Sequence, residues 1–263
     1  MLPRQQIGGR MKQSILSADN VCKSFATNGV QNHVLNNVKM KIYEKDFTVI
    51  MGISGSGKST LLYGLSGMDT ITSGEVTYQE RCITRLNENQ LTELRREDFG
   101  FIFQQIHLVS NLSLLENVTV PGYLVKKKSS VEVKKYALEL LERMNLSDAV
   151  NRLPSQVSGG EQQRAAIARA IINMPQILFA DEPTGALNRK NTTDVLDLLS
   201  QLHENGQTIL MVTHDIHAAL RADRILYLAD GSILGELSLP PYHFEDLRSR
   251  EAQINAWLTS MEW

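Results

Sequence analysis

The chain has 263 residues, 42% of them hydrophobic and 21% charged, enough apolar material for one large α/β domain or two small ones. Its formal net charge of -2 argues against a dedicated nucleic-acid binder, which carries a basic excess. No apolar run reaches the roughly 18–20 residues that span a bilayer. The start, MLPRQQIGGRMKQS, lacks the apolar core of a signal peptide, and Cys22 and Cys82 lack metal-ligand spacing, so they read as free thiols in a reducing compartment.

Met11 is a second candidate start, which would make residues 1–10 an extension. ILSADNVCKSF and HVLNNVKMKIYEKDFTVIM are rich in β-branched and apolar residues and predict strands over 15–50, with Asn-Gly between them. A glycine-rich turn and a helix at STLLYGLSG follow. Residues 74–103 predict strands at both ends with a polar helix, LNENQLTELRRE, between. From 106 onward the pattern is helical: Val133, Tyr136, Ala137, Leu140, Leu141 and Met144 recur at helical spacing. QILFAD, TTDVLDLLSQLHENG, QTILMVTHD, IHAALRAD and RILYLADG then alternate strand and helix, which predicts a parallel sheet flanked by helices. The tail starts at two prolines and turns helical, with Phe244, Leu247, Ile254, Leu258 and Met261 spaced to pack on the body; Trp257 and Trp263 lie in the same segment.

Three motifs carry chemistry. GISGSGKST, Gly52 to Thr60, fits G-x-x-x-x-G-K-[ST] between an apolar strand and a helix, the context of a phosphate-binding loop. Its glycines, Gly52, Gly55 and Gly57, let backbone N–H groups converge on phosphate oxygens alongside Ser54 and Ser56. Lys58 is expected to reach the β/γ-phosphates of a nucleotide and Ser59 to hold Mg²⁺, with Thr60 following in the first helical turn. QILFADEPTG places Asp181 and Glu182 at a buried strand's C-terminal end, as a second Mg²⁺ anchor and as general base. TILMVTHD ends a further strand at His214, a candidate γ-phosphate contact. SGGEQQR opens a helix on two glycines. Ser158 and Glu161 form a capping box there, and the absence of side chains at Gly159 and Gly160 suits close approach of an anion. With no lysine, that helix is too weak to hold a nucleotide alone.

SGGEQQR about 20 residues before ILFADEP, the phosphate loop upstream and a strand-end His downstream together resemble an ATP-binding cassette ATPase from about Ser14 to Leu239. The resemblance implies a P-loop α/β fold with an antiparallel β subdomain and an inserted helical subdomain over about 106–170. Residues 1–13 are then an extension and 240–263 a helical tail. It assigns Gln104 to the Q-loop, contacting Mg²⁺ and the attacking water, and Phe25 to adenine stacking. It implies a homodimer in which the signature of one copy closes over ATP held by the other, docked on a separate permease at the cytoplasmic face of the membrane. Val157 and Glu161 depart from the usual signature, and Asn188 stands where the family usually has Asp, which bears on coupling between the two sites. LRREDFGFIFQQIHLVSNLSLLENVTVP resembles the macrolide-exporter and lipoprotein-release cassettes, and the LTSMEW tail those of bacitracin-type antimicrobial-peptide resistance, where a sensor kinase acts through the permease. A cell-division or signalling cassette without a transported solute is the alternative; a soluble repair or translation cassette fits less well. KKKSS, Lys126 to Ser130, reads as a solvated face or a permease-facing patch.

Overall fold

The computed structural model describes residues 4–7, 10–27, 30–261 and 263, without side chains at 4–7, 10–12, 27 and 30. It divides into two compact units, Met1–Leu91 with Thr208–Trp263, and Thr92–Gln207.

In the first unit, β1 (Arg4–Ile7), within the expected extension, pairs antiparallel with β2 (Arg10–Thr27), which pairs antiparallel with β3 (Val30–Tyr43). Thr27 partners Val30 directly; the Asn-Gly expected there, Asn28 and Gly29, lies outside the described residues. The register shifts between Ala18 and Val21, where Asn20 adopts φ 52°, a left-handed conformation that asparagine tolerates. After β4 (Phe47–Met51), buried at every position, the chain forms α1 (Lys58–Leu65), then β5 (Ser73–Tyr78) and β6 (Arg81–Cys82), which complete the antiparallel sheet against β2. α2 (Glu88–Glu97), the expected polar helix, carries the chain into the second unit.

The second unit comprises β7 (Phe99–Ile102), α3 (Leu114–Val125), α4 (Ser130–Arg143), α5 (Gly159–Ile171), β8 (Ile177–Asp181) and α6 (Arg189–Glu204). β7 and β8 pair in parallel. Capping boxes start α3 (Ser113 with Glu116), α4 (Ser129 with Glu132) and α5 (Ser158 with Glu161), each satisfying N–H donors that a helix start leaves open. On α4, Val133, Ala137, Leu140 and Leu141 are buried, as is Met144 just past its end; Tyr136 is half-buried. α3 and α4 approach closely at Gly122, where a Cβ would fall 2.6 Å from Val133 Cγ1.

The chain returns to the first unit through β9 (Thr208–Thr213), α7 (Ile216–Ala219), β10 (Arg224–Ala229), β11 (Ser232–Ser238) and α8 (Leu247–Ser260). There β11, β10, β4 and β9 lie side by side, with β10, β4 and β9 parallel. The sequence expectation for the tail needs one correction. Ile254 and Leu258 are buried as expected, but Phe244 is 76% exposed, because it sits in a separate 3₁₀ turn before α8 and so off the helical face. Trp257 and Met261 pack over Gly235, and Trp263 meets Tyr227 edge-on at 5.8 Å. Cys22 and Cys82 are free thiols.

Candidate functional site

The first unit contributes two strand ends. β4 and β9 are parallel with Met51 opposite Thr213, so Gly52 and His214 leave adjacent strands at the same, C-terminal, end of the sheet, where open α/β sheets bind ligands. Gly52 admits no side chain, since a Cβ would fall 2.3 Å from Leu228 O and 2.5 Å from Ser56 Oγ. Gly57, the residue before α1, has φ 98°, and a Cβ there would come 2.9 Å from Val34 O. Gly55, at φ 83°, faces open space. Lys58 is 8% exposed and donates to Gly52 O (2.7 Å) and Ile53 O (3.0 Å), so its ammonium is folded back across the loop. Ser56 Oγ is buried with no hydrogen-bond partner among the described residues. α1 starts with no side-chain cap and no acid in its first turn, which leaves its positive end to an anion. Ser54 lies on the exposed rim, while Ser59 and Thr60 are half-buried in the first turn.

His214 is exposed, and the residue after it is held by a bond from Asp215 N to Thr213 Oγ1 (3.0 Å). Phe25, on β2, is 43% exposed, with Lys23 Nζ 4.8 Å from its ring centroid. That ammonium is fixed by Asp69 (2.8 Å), so a cation–π contact holds the ring in place.

In the second unit Ile102 lies opposite Ala180, so the segments that carry Gln104 and Asp181–Glu182 leave neighbouring parallel strands. Phe101 stacks on Phe179 at 5.4 Å between these strands. Asp181 and Glu182 are 5% and 8% exposed. Glu182 has φ 44°, a strained conformation for a non-glycine residue, in a turn closed by Gly185 N to Glu182 O (3.0 Å). The Gln104 amide lies over that turn, its Nε2 3.2 Å from where a Cβ on Gly185 would stand. Asn188 caps α6 by accepting from Asn191 N at 3.0 Å.

At the start of α5, Ser158 Oγ accepts from Glu161 N (3.3 Å), and Glu161 Oε2 accepts from Ser158 N (2.8 Å) and Ser158 Oγ (2.6 Å). These bonds, side chain first, hold the Glu161 carboxyl below the usual carboxylate range, with smaller help from Arg164 and Arg152. The two glycines differ. Gly159 is exposed, and a Cβ there would meet only Leu187 Cδ2 at 3.9 Å. Gly160 is buried, and its Cβ would fall 2.4–2.6 Å from the amide atoms of Asn191.

A family profile described as ABC transporter matches residues 35–185. The chain belongs to the ABC transporter family of ATP-binding cassettes. It is 46% identical over 220 residues to an uncharacterized ABC transporter ATP-binding protein of Methanocaldococcus jannaschii, MJ1508, a match that covers 84% of this cassette and 98% of the relative. Two solved structures of the cassette MJ0796, one described as a dimeric post-hydrolysis state bound to ADP and Pi and one as the dimer of a bacterial ABC transporter cassette, match at a TM-score of 0.80. Each is 41% identical over 86% of this chain and 100% of that one. The protein is thus an ABC-type ATPase with the mixed α/β cassette fold.

Two residues of this ABC cassette went unmarked by sequence reasoning. Asn117 of α3 is 2% exposed; it accepts from Val109 N (2.7 Å) and donates to Val109 O, Leu112 O and Ser113 O, pinning the loop that follows Gln104. Arg169 of α5 donates to His107 O (2.6 Å) and Ile106 O (3.0 Å), tying the same loop to the helix that SGGE opens. Their partners are backbone groups, which leave no trace in residue identity.

Proposed function

We propose that this cassette binds ATP on the loop from Gly52 to Thr60, with Phe25 against the adenine, and hydrolyses it as half of a homodimer. The observation that carries this reading is the loop itself: two glycine sites that a Cβ would fill, a partnerless buried Ser56 hydroxyl and a lysine folded over the loop carbonyls make a cradle for phosphate.

The donor set fits Mg²⁺ rather than a metal held in a protein cage. No group of three or more His, Cys, Asp or Glu side chains among the described residues is placed to hold a metal ion, and Mg²⁺ takes one or two carboxylates together with substrate phosphates. Ser59, Asp181 and Gln104 would hold it, and it would supply charge neutralisation at the phosphates. Lys58 binds the β/γ-phosphate oxygens. Glu182 takes the proton of the attacking water, and His214 donates to the γ-phosphate. Ser158, Gly159, Gly160 and Glu161 of one copy close over the nucleotide held by the other. The dimeric MJ0796 structure with ADP and Pi supports the pairing.

No helix among the described residues is long and apolar enough to cross a membrane. Membership of the ABC transporter family supports a homodimer that works through a separate permease at the cytoplasmic face of the membrane. The Leu94-to-Pro121 stretch and the tail favour export or antimicrobial-peptide resistance, with a sensor kinase acting through that permease. Glu182→Gln tests the chemistry: ATP binding persists, turnover stops and a nucleotide-bound dimer accumulates on a sizing column. Wild-type turnover in this variant would refute the assignment.

A further inference from the structure

We propose that Arg250, in the C-terminal tail, is a positioning residue for His214. The inference rests on the reading of His214 as a γ-phosphate contact. His214 stands at the start of the link between β9 and β10, residues 214–223. Four of its ten residues form α7, a single turn, too short to hold its shape unaided. Its N-terminal end is secured by Asp215, whose Oδ1 accepts from His217 N at 2.8 Å and whose N–H reaches Thr213 Oγ1 at 3.0 Å.

The C-terminal end is secured by the tail. Arg250 is only 2% exposed, and its guanidinium makes three bonds to backbone carbonyls: Nε to Leu220 O (2.9 Å), Nη2 to Ala222 O (2.6 Å) and Nη1 to Pro240 O (2.6 Å). Two of those carbonyls belong to the link, and Leu220 caps α7. The Tyr242 ring has Arg221 of the link 4.5 Å from its centroid and Arg250 at 5.7 Å. A planar fork with five N–H donors suits several carbonyls at once, whereas a lysine ammonium on a flexible stem does not reproduce that geometry. Asp223 and Asp246 lie near enough to favour the charged guanidinium against its burial. A link fixed at both ends presents His214 in one place; a link released at Leu220 and Ala222 lets the imidazole wander, and small displacements of a contacting group slow chemistry more than they weaken binding.

The test is steady-state ATP hydrolysis by the full chain with Mg-ATP, for Arg250→Lys, His214→Ala and the double variant. Arg250→Lys is expected to lower kcat about ten-fold and to leave the KM for ATP within about two-fold. In the His214→Ala background it is expected to cause no further loss, because the two act as one unit. If Arg250→Lys does not yield folded protein, Arg250→Gln, whose amide can donate to at most two of the three carbonyls, carries the same comparison. An unchanged kcat, or an equal fold-loss in both backgrounds, overturns the positioning role alone. Wild-type turnover by His214→Ala overturns the reading of the site, and with it the reason for the latch.

Discussion

The two glycines that open α5 separate packing from function, and alanine at each gives opposite results. At Gly159 a new Cβ meets only Leu187 Cδ2, at 3.9 Å, so nothing must move. The helix then gains about 0.5 kcal/mol from the lower unfolded-state freedom of alanine. At Gly160 the same gain is opposed by overlap with three Asn191 amide atoms at 2.4–2.6 Å. Overpacking of this kind costs about 1–3 kcal/mol, so the net loss is about 0.5–2.5 kcal/mol. At about 2–4 °C per kcal/mol for a chain of this size, Gly159→Ala raises the melting temperature by about 1–2 °C and Gly160→Ala lowers it by about 1–10 °C. Adding Asn191→Ala to Gly160→Ala restores the loss, since the backbone N–H of Asn191 still reaches Asn188 Oδ1. Scanning calorimetry measures all three. ATP turnover supplies the second axis: Gly159→Ala, stable but with a methyl group on the open face, loses about ten-fold or more. A Gly160→Ala variant as stable as wild type would refute the packing account. Gly159→Ala with wild-type turnover would refute close approach of phosphate at that glycine.

Lys58→Ala should abolish ATP binding in an equilibrium titration, since the lysine is the one cation of the loop; unchanged affinity would count against the phosphate cradle. Asn188→Asp should keep the α6 cap and strengthen it by roughly 0.3–1 kcal/mol through the helix dipole. It should also shift the Hill coefficient for ATP; an unchanged coefficient would show that this position does not set coupling. Glu116, Glu132 and Glu161 are all held below the usual carboxylate range by their capping-box serines. A depressed folded-state pKa stabilises at pH above the unfolded value and is lost as pH falls through the folded one. Thermal stability should therefore decline on acidification below the ordinary carboxylate range. The triple Glu→Gln variant, which keeps capping geometry without titrating, should flatten that decline, and an unaltered slope would remove the caps from the account.

Interactions within three or four residues were legible in advance. Ser158 with Glu161 could be paired by spacing alone, and the Val133–Met144 face could be picked out by period, because a helix brings those positions together whatever surrounds it. The glycines of SGGE were legible as a pair but not as individuals. Only α6 shows that Gly160 is needed for Asn191, a residue thirty-one positions on, while Gly159 is left open. The tail divides the same way: a helix was expected and found, but periodicity assigned Phe244 to its inner face and passed over Arg250, which is buried.

The chain alone therefore determined the identity and order of the chemical groups: a lysine behind glycines, acids at one apolar strand's end, a histidine at another's, and the caps that start the helices. Tertiary structure decided which groups share an edge, through the opposition of Met51 to Thr213 and of Ile102 to Ala180. It also decided what anchors the loops between them, through Asn117, Arg169 and Arg250. The physical reason is that these three side chains bind mainly backbone groups. Every residue carries a carbonyl, so residue identity names the donor while only the fold selects the acceptor.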